Sequence, residues 1–522
     1  MRSIMNILNR VLTIACCAVL IGAVAFAGDI KSSGKKGVWS ADSTWIGGVQ
    51  PGAADNVTIA DGDTVTFGED TVVVNNLTVG ETSGPAMLQF PKTHDIWLWV
   101  NGNIVVNANC GFRTQTRSSL EGDLVHTIFL YGNLTHNGTV LDFRSGSTNS
   151  TGAVGNFQLL GSADQTLTVS TLFSTSNGEF NGIRVNKSGS GSVILGSDIQ
   201  LAGGSSSNDT TYPYLYLTRG KVYTGNYALI HRYASNTGSV AGGSDSSYVI
   251  GAMGRGMGNS GSATREFPIG DSLSYRPVTV RSTTGGSSTG HYIKVRAIHG
   301  NANTGSSTFS PSIDKVASVR YFQVTYVQQG GAATMGVDRF KIGYGTDDGV
   351  GTGNDELRIA FSTNDRAAWT GGAQTVPDTT FTPDAALQDS IAAVTLANNG
   401  SMFIALARLA GTTSNSLNYT TSVGYDVKTP ATWSLEQNYP NPFNPETEIR
   451  YSTLKAGEIS LSVYNILGQR IASLVSTAME PGTHTARWNG RDDAGRVMPS
   501  GVYIYKLEGP GFVQARRMVL MK

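Results

Sequence analysis

The densest set of candidate metal ligands lies in a glycine-bounded loop near residue 350. Five oxygen-bearing side chains occur close together there, namely Asp347, Asp348, Asn354, Asp355 and Glu356. Carboxylate and amide oxygens are the ligands that Ca²⁺ prefers, and a glycine turn lets them converge. The spacing does not match an EF-hand. The calcium site is therefore a hypothesis, and solvated loop carboxylates are the simpler alternative. No other cofactor is predicted.

The usual signatures of catalysis are missing from the sequence. There is no HExxH, paired CxxC, GxSxG or phosphate-binding GxxxxGK motif, and the seven histidines are scattered. A polysaccharide lyase or hydrolase would need charged groups to converge on one face. The available groups are not tied to one face by their spacing; they are His94, Asp95, Arg113, Arg117, Asp123, His126, Asp142, Arg144 and Asp164. The sequence therefore predicts a protein that is not an enzyme.

Charge and cysteine content narrow the class of protein further. The chain has 38 basic residues (lysine plus arginine) and 38 acidic residues (aspartate plus glutamate), so it has no excess of positive charge for binding nucleic acid. Only 15% of the residues are charged and 64 are glycine, which suits many short strands joined by small turns. Beyond residue 27 the only cysteine is Cys110, so no intramolecular disulfide is predicted there, and Cys110 is expected to be a small buried side chain.

The segment 1–27 has the pattern of a secretory signal peptide. Two arginines flank an apolar run over 11–25, which is too short for a bilayer span of about 20 residues. An Ala-x-Ala site predicts cleavage between Ala27 and Gly28. A lipoprotein signal using Cys16 or Cys17 is the alternative, but the apolar run continues past both cysteines.

Between residues 28 and 234 the chain consists of short apolar runs separated by glycine- and asparagine-rich bends. Examples are Asn76–Val79, Ile96–Val100 and Val193–Leu195. Neither helix caps nor a helical apolar period accompanies them. This pattern of short apolar runs and bends predicts a right-handed β-solenoid, in which the short strands of successive coils stack in parallel. The repeat has no fixed length, so one or two β-sandwiches are the alternative.

The texture changes after a Gly/Ser-rich segment at 235–262, which is predicted to be a flexible joint. Longer alternating runs over 263–410 predict a central antiparallel β-sandwich. A polar stretch at 411–433 is predicted to be a linker. The expected organisation is therefore all-β, with a final unit over 434–522.

Residues 434–522 carry clear strand signals. Ile459, Leu461 and Val463 alternate with polar residues, which places apolar side chains on one face of a strand. About six or seven such runs, separated by glycine and proline turns, are typical of an Ig-like β-sandwich. Both faces of the run from Val502 to Leu507 are apolar, so the pattern does not decide which face is buried.

Four separated motifs in this final unit carry a specific resemblance. They are YPNPFNP at Tyr439–Pro445, VYNILGQ at Val463–Gln469, WNGRD at Trp488–Asp492 and SGVYIYKL at Ser500–Leu507, before a basic-apolar ending at Lys522. With them the unit resembles the C-terminal sorting domain (type A) of type IX secretion cargo, which is also similar to the Ig-like domain of the flagellar hook-capping protein. The strand-and-bend region ahead of it is similar to the β-helix regions of such cargo.

The resemblance implies passage across the outer membrane of a Gram-negative bacterium, then release or surface anchoring. It makes the secretion machinery the expected partner of residues 434–522. An ordinary Ig-like module without a sorting role is the alternative, because a fold does not dictate function. The resemblance does not show whether this unit is removed after export.

The sequence predicts a secreted or cell-surface protein that is structural, adhesive or binds glycans or proteins. Trp97, Trp99 and Tyr212–Tyr216 are the candidate exposed aromatics for contact with surface glycans or partner proteins. Core packing is the alternative for all of them, and Trp39 with Trp45 is expected to cap a β-core. A secreted polysaccharide lyase or hydrolase on a β-helix scaffold is the alternative function, and it would need two carboxylates about 5–9 Å apart in a groove.

Overall fold

The computed structural model describes most of the chain from residue 27 onward. The described residues are 27–34, 36–82, 84–115, 124–143, 153–170, 180–201, 215–231, 240–257, 262–283, 291–328, 334–350, 356–372, 374–378, 385–417, 434–435, 437–438, 441–453, 457–479, 482–510 and 512–521. They form 42 strands and two short 3-10 helices, Asp42–Thr44 and Thr346–Asp348. The predicted signal peptide lies outside this part of the chain except for Ala27 at its cleavage site. Neither described helix has the length or apolar content to cross a membrane.

The chain divides into two compact units, Met1–Tyr419 and Thr420–Lys522, and the boundary falls inside the predicted linker at 411–433. The amino-terminal part of the first unit is a parallel β-solenoid. Its strands are β1 (Asp29–Lys31), β2 (Gly37–Val38), β3 (Asn56–Ile59), β4 (Thr64–Thr66), β5 (Thr71–Val74), β6 (Asn76–Val79), β7 (Met87–Phe90), β8 (Trp97–Val100), β9 (Ile104–Val106), β10 (Gly111–Thr114), β11 (Leu124–Leu130), β12 (Leu134–His136), β13 (Val140–Asp142), β14 (Ala153–Leu159), β15 (Gln165–Val169), β16 (Gly182–Asn186), β17 (Val193–Leu195), β18 (Ile199–Leu201), β19 (Leu215–Arg219), β20 (Val222–His231), β21 (Val240–Gly242) and β22 (Val249–Gly256).

These strands stack into three parallel sheets. The first runs through β1, β3, β6, β9, β12, β15, β17, β20 and β22. The second contains β2, β4, β7, β10 and β13, and the third contains β5, β8, β11, β14, β16, β19 and β21. The predicted β-solenoid is confirmed, and the alternative of separate sandwiches is wrong for this region.

The length of a coil varies along the solenoid, which explains why the sequence shows no fixed repeat. Val57 lies opposite Leu77 on the next coil of the first sheet. Further along the same sheet the coils are longer, since Ile104 lies opposite Leu134 and Leu134 lies opposite Leu167. Only the short strands must stay in register, because they carry the ladder hydrogen bonds and the buried side chains. The corners between them absorb the differences in length.

The interior of the solenoid contains a column of aromatic rings contributed by successive stretches of the chain. Neighbouring rings lie 4.9–5.6 Å apart along the series Trp39, Phe67, Phe90, Phe112, Phe143, Phe157 and Phe180. At the amino-terminal end Trp45 packs edge-on against Trp39 at 4.8 Å, and its indole Nε1 donates to the Trp39 carbonyl. Both tryptophans are buried, so they cap the column as predicted. Cys110 is buried in the same core and forms no disulfide.

The first sheet continues without a break from the solenoid into the sandwich. The remaining strands of this unit are β23 (Ala263–Phe267), β24 (Ile269–Gly270), β25 (Val278–Ser282), β26 (His291–His299), β27 (Thr308–Phe309), β28 (Ile313–Val316), β29 (Arg320–Gln328), β30 (Met335–Tyr344), β31 (Leu357–Ser362), β32 (Ala368–Gly371), β33 (Gln374–Asp378), β34 (Ala385–Leu396) and β35 (Ser401–Leu409). Strand β22 pairs in parallel with β20 and β24 and antiparallel with β26, and β29 and β35 extend that sheet. A second antiparallel sheet runs β23-β25-β30-β34-β33.

Strand β22 shows that the predicted flexible joint at 235–262 is wrong for its described residues. Gly254 allows close packing of strands, since a Cβ atom there would lie 2.9 Å from the Tyr292 ring and 3.2 Å from Ile230. Gly251 has a φ of 115°, and a Cβ there would clash with Thr224. These glycines serve close approach of ordered strands. The composition resembles that of a linker because flexible linkers and closely packed strands both require small residues.

The second unit is a small β-sandwich of seven strands in the described residues. They are β36 (Ser434–Leu435), β37 (Thr447–Thr453), β38 (Gly457–Asn465), β39 (Arg470–Met479), β40 (Gly482–Trp488), β41 (Gly501–Gly509) and β42 (Phe512–Leu520). One sheet has the order β36-β37-β40 and the other β39-β38-β41-β42. Tyr503, Tyr505 and Leu507 are buried in its own core, while Val502 is 42% exposed. The structure thus decides the face that the sequence left open.

Candidate functional site

The C-terminal unit presents its most exposed apolar side chains at the tip of the β38–β39 hairpin. Ile466 and Leu467 are 72% and 78% exposed. The Asn465 side chain fixes the tip, because its Oδ1 accepts the N–H groups of Leu467 and Gln469, each at 3.0 Å. Gly468 supplies the left-handed backbone, with a φ of 78°, that closes the turn. Polar bonds therefore hold two aliphatic side chains out in solvent, where water contact is unfavourable unless a partner covers them.

A second apolar area lies on the outer face of β41 and β42. Val502 lies opposite Val519, and Ile504 lies opposite Arg517. These side chains line a shallow groove together with Ala515 and Arg516. An apolar strip bordered by guanidinium groups has the composition of a protein interface, in which arginine is enriched and lysine depleted.

Other residues of the four motifs hold the unit together. The Asn441 carboxamide accepts the Val519 N–H at 2.8 Å. The Trp488 indole donates to the Arg491 carbonyl at 2.7 Å, and Asp492 Oδ1 accepts two N–H groups of the same turn. Tyr439 and Pro440 lie outside the described residues. These motif residues specify the sandwich, whereas the hairpin tip is the part of the motifs that is available for contact.

The two described aspartates of the predicted calcium loop belong to a buried ionic cluster. Asp348 accepts from Arg276 Nε at 2.8 Å and from Arg320 Nη1. Asp347 accepts from Arg276 Nη2, and from Arg320 Nη2 at 3.4 Å. Arg320 Nε also donates to Asp271 Oδ2 at 2.7 Å. All four carboxylate oxygens of Asp347 and Asp348 therefore have guanidinium partners.

This cluster is a better account of Asp347 and Asp348 than a calcium ion, which would have to displace two guanidinium groups. Asn354 and Asp355 lie outside the described residues, and Glu356 accepts from Ser414 N at 3.1 Å and Ser414 Oγ at 3.0 Å. In the part of the chain that is described, no three His, Cys, Asp or Glu side chains are grouped to hold a metal. The arginine partners are distant in sequence, so no local motif could reveal them.

Electrostatics within the cluster favour the charged forms of Asp271 and Arg320. Burial opposes ionisation of Asp271, but hydrogen bonds from His299 and Arg320 outweigh it, so the pKa of Asp271 lies well below its ordinary value. Burial also opposes the Arg320 charge, yet the neighbouring carboxylates raise the pKa of Arg320. Burial raises the pKa of Asp348, and the Arg320 and Arg276 guanidinium groups that bond to it oppose that rise. The cluster thus links the loop after β24 to both sheets of the sandwich through paired charges.

Several aspartates of the solenoid accept a backbone N–H group from a residue one coil away. The acceptor–donor pairs, each at 2.8 Å, are Asp95 with Val125, Asp164 with Ser192 and Asp198 with Ala228. A carboxylate at such a corner satisfies an amide that the short strands leave unpaired. Asp95 and Asp164, which were candidates for catalysis, therefore join coils together.

The structure brings one pair of charged candidates together. Arg113 and Asp142 lie in register on β10 and β13. The same row continues through Gln89, which accepts from Arg113 Nη2 at 3.3 Å, to Thr66. This polar ladder contains a single carboxylate, whereas glycoside hydrolysis uses two. Arg117, Asp123 and Arg144 lie outside the described residues.

The candidate histidines are separated from one another. His126 is fully buried, and its Nδ1 accepts the Ile96 N–H at 3.1 Å. His94 lies nearer the surface, 3.8 Å from the Asp70 carboxylate. Burial lowers the pKa of His136, another interior histidine, to about 4. His136 is therefore neutral near pH 7, and neither buried ring lies beside the other as a catalytic pair would.

Of the predicted surface aromatics, Trp99 and Tyr216 lie in one row across the third sheet, whereas Trp97 lies in the neighbouring row opposite Thr71 and Thr127. The register places Trp99, Phe129, Gln158, Arg184 and Tyr216 opposite one another on successive coils. Trp99 and Phe129 stack with centroids 3.8 Å apart at 8°, and the Arg184 guanidinium lies 4.3 Å from the Tyr216 ring centre. Neighbours thus cover at least one face of each ring, which favours ladder packing over an open sugar platform. Tyr212–Tyr214 lie outside the described residues.

The fold and the surfaces define an all-β chain with a solenoid, a fused sandwich and a separate Ig-like unit. The FlgD Ig-like domain family matches residues 446–510, which lie inside that unit. No curated protein matches the chain.

Two solved structures share limited similarity with the chain. Dimeric latent PorU from Porphyromonas gingivalis is 11% identical with a TM-score of 0.15, and the alignment covers 47% of this chain and 24% of PorU. PorZ of the same organism, an essential bacterial surface component of the type-IX secretion system, is 12% identical with a TM-score of 0.14, covering 48% of this chain and 37% of PorZ. The chain therefore spans well under half of either protein, and TM-scores this low establish no functional relationship.

Proposed function

We propose that this chain is a secreted or cell-surface protein of a Gram-negative bacterium, exported by a type IX secretion machinery that recognises residues 434–522. The observation that carries the proposal is the fixed display of Ile466 and Leu467 on an Ig-like unit that is compact by itself. Because this unit has its own hydrophobic core, a secretion machinery can bind it without disturbing the fold of the first unit.

The body of the protein is proposed to be non-enzymatic, with a structural, adhesive or binding role. Asp95 and Asp164, which were catalytic candidates, accept backbone N–H groups of the next coil, and burial lowers the pKa of the interior His136 to about 4. A continuous sheet from the solenoid into the sandwich suits a rigid stalk. These observations support the binding role over a polysaccharide-active enzyme.

The test is delivery of variants in the native host, followed by cell fractionation and intact-mass analysis. Replacing Ile466 and Leu467 together by serine should trap the chain inside the cell, because the docking residues are lost while the Asn465 bonds that form the turn remain. Val513→Ser is the matched control, since Val513 is 64% exposed on the same unit but lies away from the tip. A chain delivered normally without residues 434–522, or an unaffected tip variant, would refute the proposal.

A further inference from the structure

A polar groove lies where the solenoid sheet passes into the sandwich. One wall is the bulge in β20 between Tyr223 and Ala228, where Gly225, with a φ of 57°, lifts Asn226 and Tyr227 out of the ladder. The Tyr227 ring is 39% exposed. The floor is the outer face of β26 and β29. We call this the junction groove; its principal polar residues are Asn226, Tyr227, Lys294, Arg296, Gln323 and Thr325, and it encloses about 160 Å³.

The floor is polar because of strict alternation along its strands. Lys294 lies opposite Thr325 and Arg296 opposite Gln323 on the paired strands, so the four side chains form a square on one face. On the other side of β26 the register places only Gly254 beside Lys294 and Ala252 beside Arg296. The Tyr292 ring packs over Gly254, and both Tyr292 and Ala252 line the groove next to the two long cationic side chains. The small Ala252 side chain leaves room beside Arg296.

The charges of the groove favour an anionic ligand. In the described part of the chain the Lys294 ammonium has no ion-pair partner. The Arg296 guanidinium makes one hydrogen bond there, from Nη2 to the Gly225 carbonyl at 3.3 Å. The one carboxylate of the lining, Asp198, already accepts the Ala228 N–H. Two cationic side chains with unused hydrogen-bond donors therefore lie on the same face of one strand, where they can bind a carboxylate group.

The neutral groups of the groove indicate what surrounds that carboxylate. Asn226 is exposed at the rim and offers both a donor and an acceptor, as a row of hydroxyl groups requires. Gln323 Nε2 and Thr325 Oγ1 already bond to Ser401 Oγ, which leaves the Gln323 carbonyl oxygen as the acceptor of the floor. Tyr227 at the rim offers a ring against which the C–H face of a sugar can pack. We infer that the junction groove binds an acidic oligosaccharide and holds one uronate residue through Lys294 and Arg296. This binding site is independent of the proposed export signal.

The inference is tested with the chain from Gly28 to Lys522 by calorimetry against oligogalacturonate, neutral dextran oligomers and inorganic phosphate. We expect binding of oligogalacturonate that weakens with added salt, and no binding of dextran. The double variant Lys294→Gln/Arg296→Gln should weaken it by roughly tenfold or more. Tyr227→Ala should weaken it while leaving the charges in place.

The matched control is Lys92→Gln/Arg219→Gln, which removes the same charge from two exposed positions on the solenoid. It should bind like the unmodified chain, and circular dichroism should show that each variant is folded. Equal loss in both double variants would mean that net charge alone attracts the polymer and would overturn the site. Binding of phosphate but not oligogalacturonate, equal binding of dextran, or no binding at all would overturn the acidic sugar as ligand.

Discussion

Replacing Arg320 by methionine should destabilise the first unit more than any loss of a surface charge. The Arg320 side chain is 2% exposed and bonds to Asp271 Oδ2 at 2.7 Å and to Asp348. Methionine fills similar volume but leaves those two carboxylates with side chains only 3% and 4% exposed and without their shared cation. Breaking a buried pair by removing one partner costs about 3–5 kcal/mol, because the remaining charge is uncompensated.

The remaining contacts of the two carboxylates determine how much of that cost appears. Asp271 keeps the Leu273 and Ser274 N–H groups at 2.9 and 3.0 Å, and Asp348 keeps Arg276 at 2.8 Å. We therefore expect a loss near the lower end, about 3 kcal/mol. Part of this loss of stability arises because the loop after β24 no longer bonds to Arg320 in the sandwich.

The assay is chemical denaturation of the Gly28–Lys522 chain, followed by the transition of the first unit. Arg281→Met is the matched control, since Arg281 pairs with Asp338 but is 31% exposed, and such pairs contribute about 0.2–1 kcal/mol. If Arg320→Met cost no more than Arg281→Met, the cluster would not stabilise the junction and the reasoning would be wrong.

Two further predictions concern pH and the aromatic row. The pKa of Asp271 is lowered in the folded chain, so its stabilising contribution is complete above its unfolded value of about 4 and is lost as pH falls towards the folded pKa. Arg320→Met removes a cation that lowers this pKa, so the folded variant takes up protons at a higher pH than the folded unmodified chain. The difference in unfolding free energy between the two chains, measured by denaturation from pH 7 to 3, should therefore narrow as the pH falls, and a difference that widened in acid would contradict this. A double-mutant cycle of Trp99→Ala and Phe129→Ala, measured as free energies of unfolding, should give a coupling energy of about 0.5–1.5 kcal/mol, because the ring centroids lie 3.8 Å apart in a stack. The cycle of Trp97→Ala with Phe129→Ala is the control. Equal coupling energies in the two cycles would show that the stack itself adds no stability.

The fold was accessible from the sequence where a local pattern has one physical cause. Alternation in Ile459, Leu461 and Val463 predicts a strand with one buried face, and all three side chains lie in the core of the C-terminal sandwich. Short runs such as Asn76–Val79 predict solenoid strands, and this one pairs in parallel on both sides. Period-two patterns need no distant information, because each strand must bury one face whatever its neighbours are.

Composition misled where two structures select the same residues. The glycines of 249–256 resembled a joint but form a central strand, because close strand packing and flexible linkers both require small side chains. In the same way Asp347 and Asp348 resembled a cation site. Only the fold shows Arg276 and Arg320 beside them, arginines that are far from both aspartates along the chain.

The sequence by itself determined that this is a strand-built chain, where its sandwich-forming tail begins, and which residues shape the turns of that tail. Tertiary structure alone decided which long-range partners neutralise the buried charges, which face of β41 is covered, and that Lys294 and Arg296 border a concave surface. The reason is physical: strand formation depends on neighbours in the chain, whereas charge pairing and concavity depend on residues that only the folded sheets bring together.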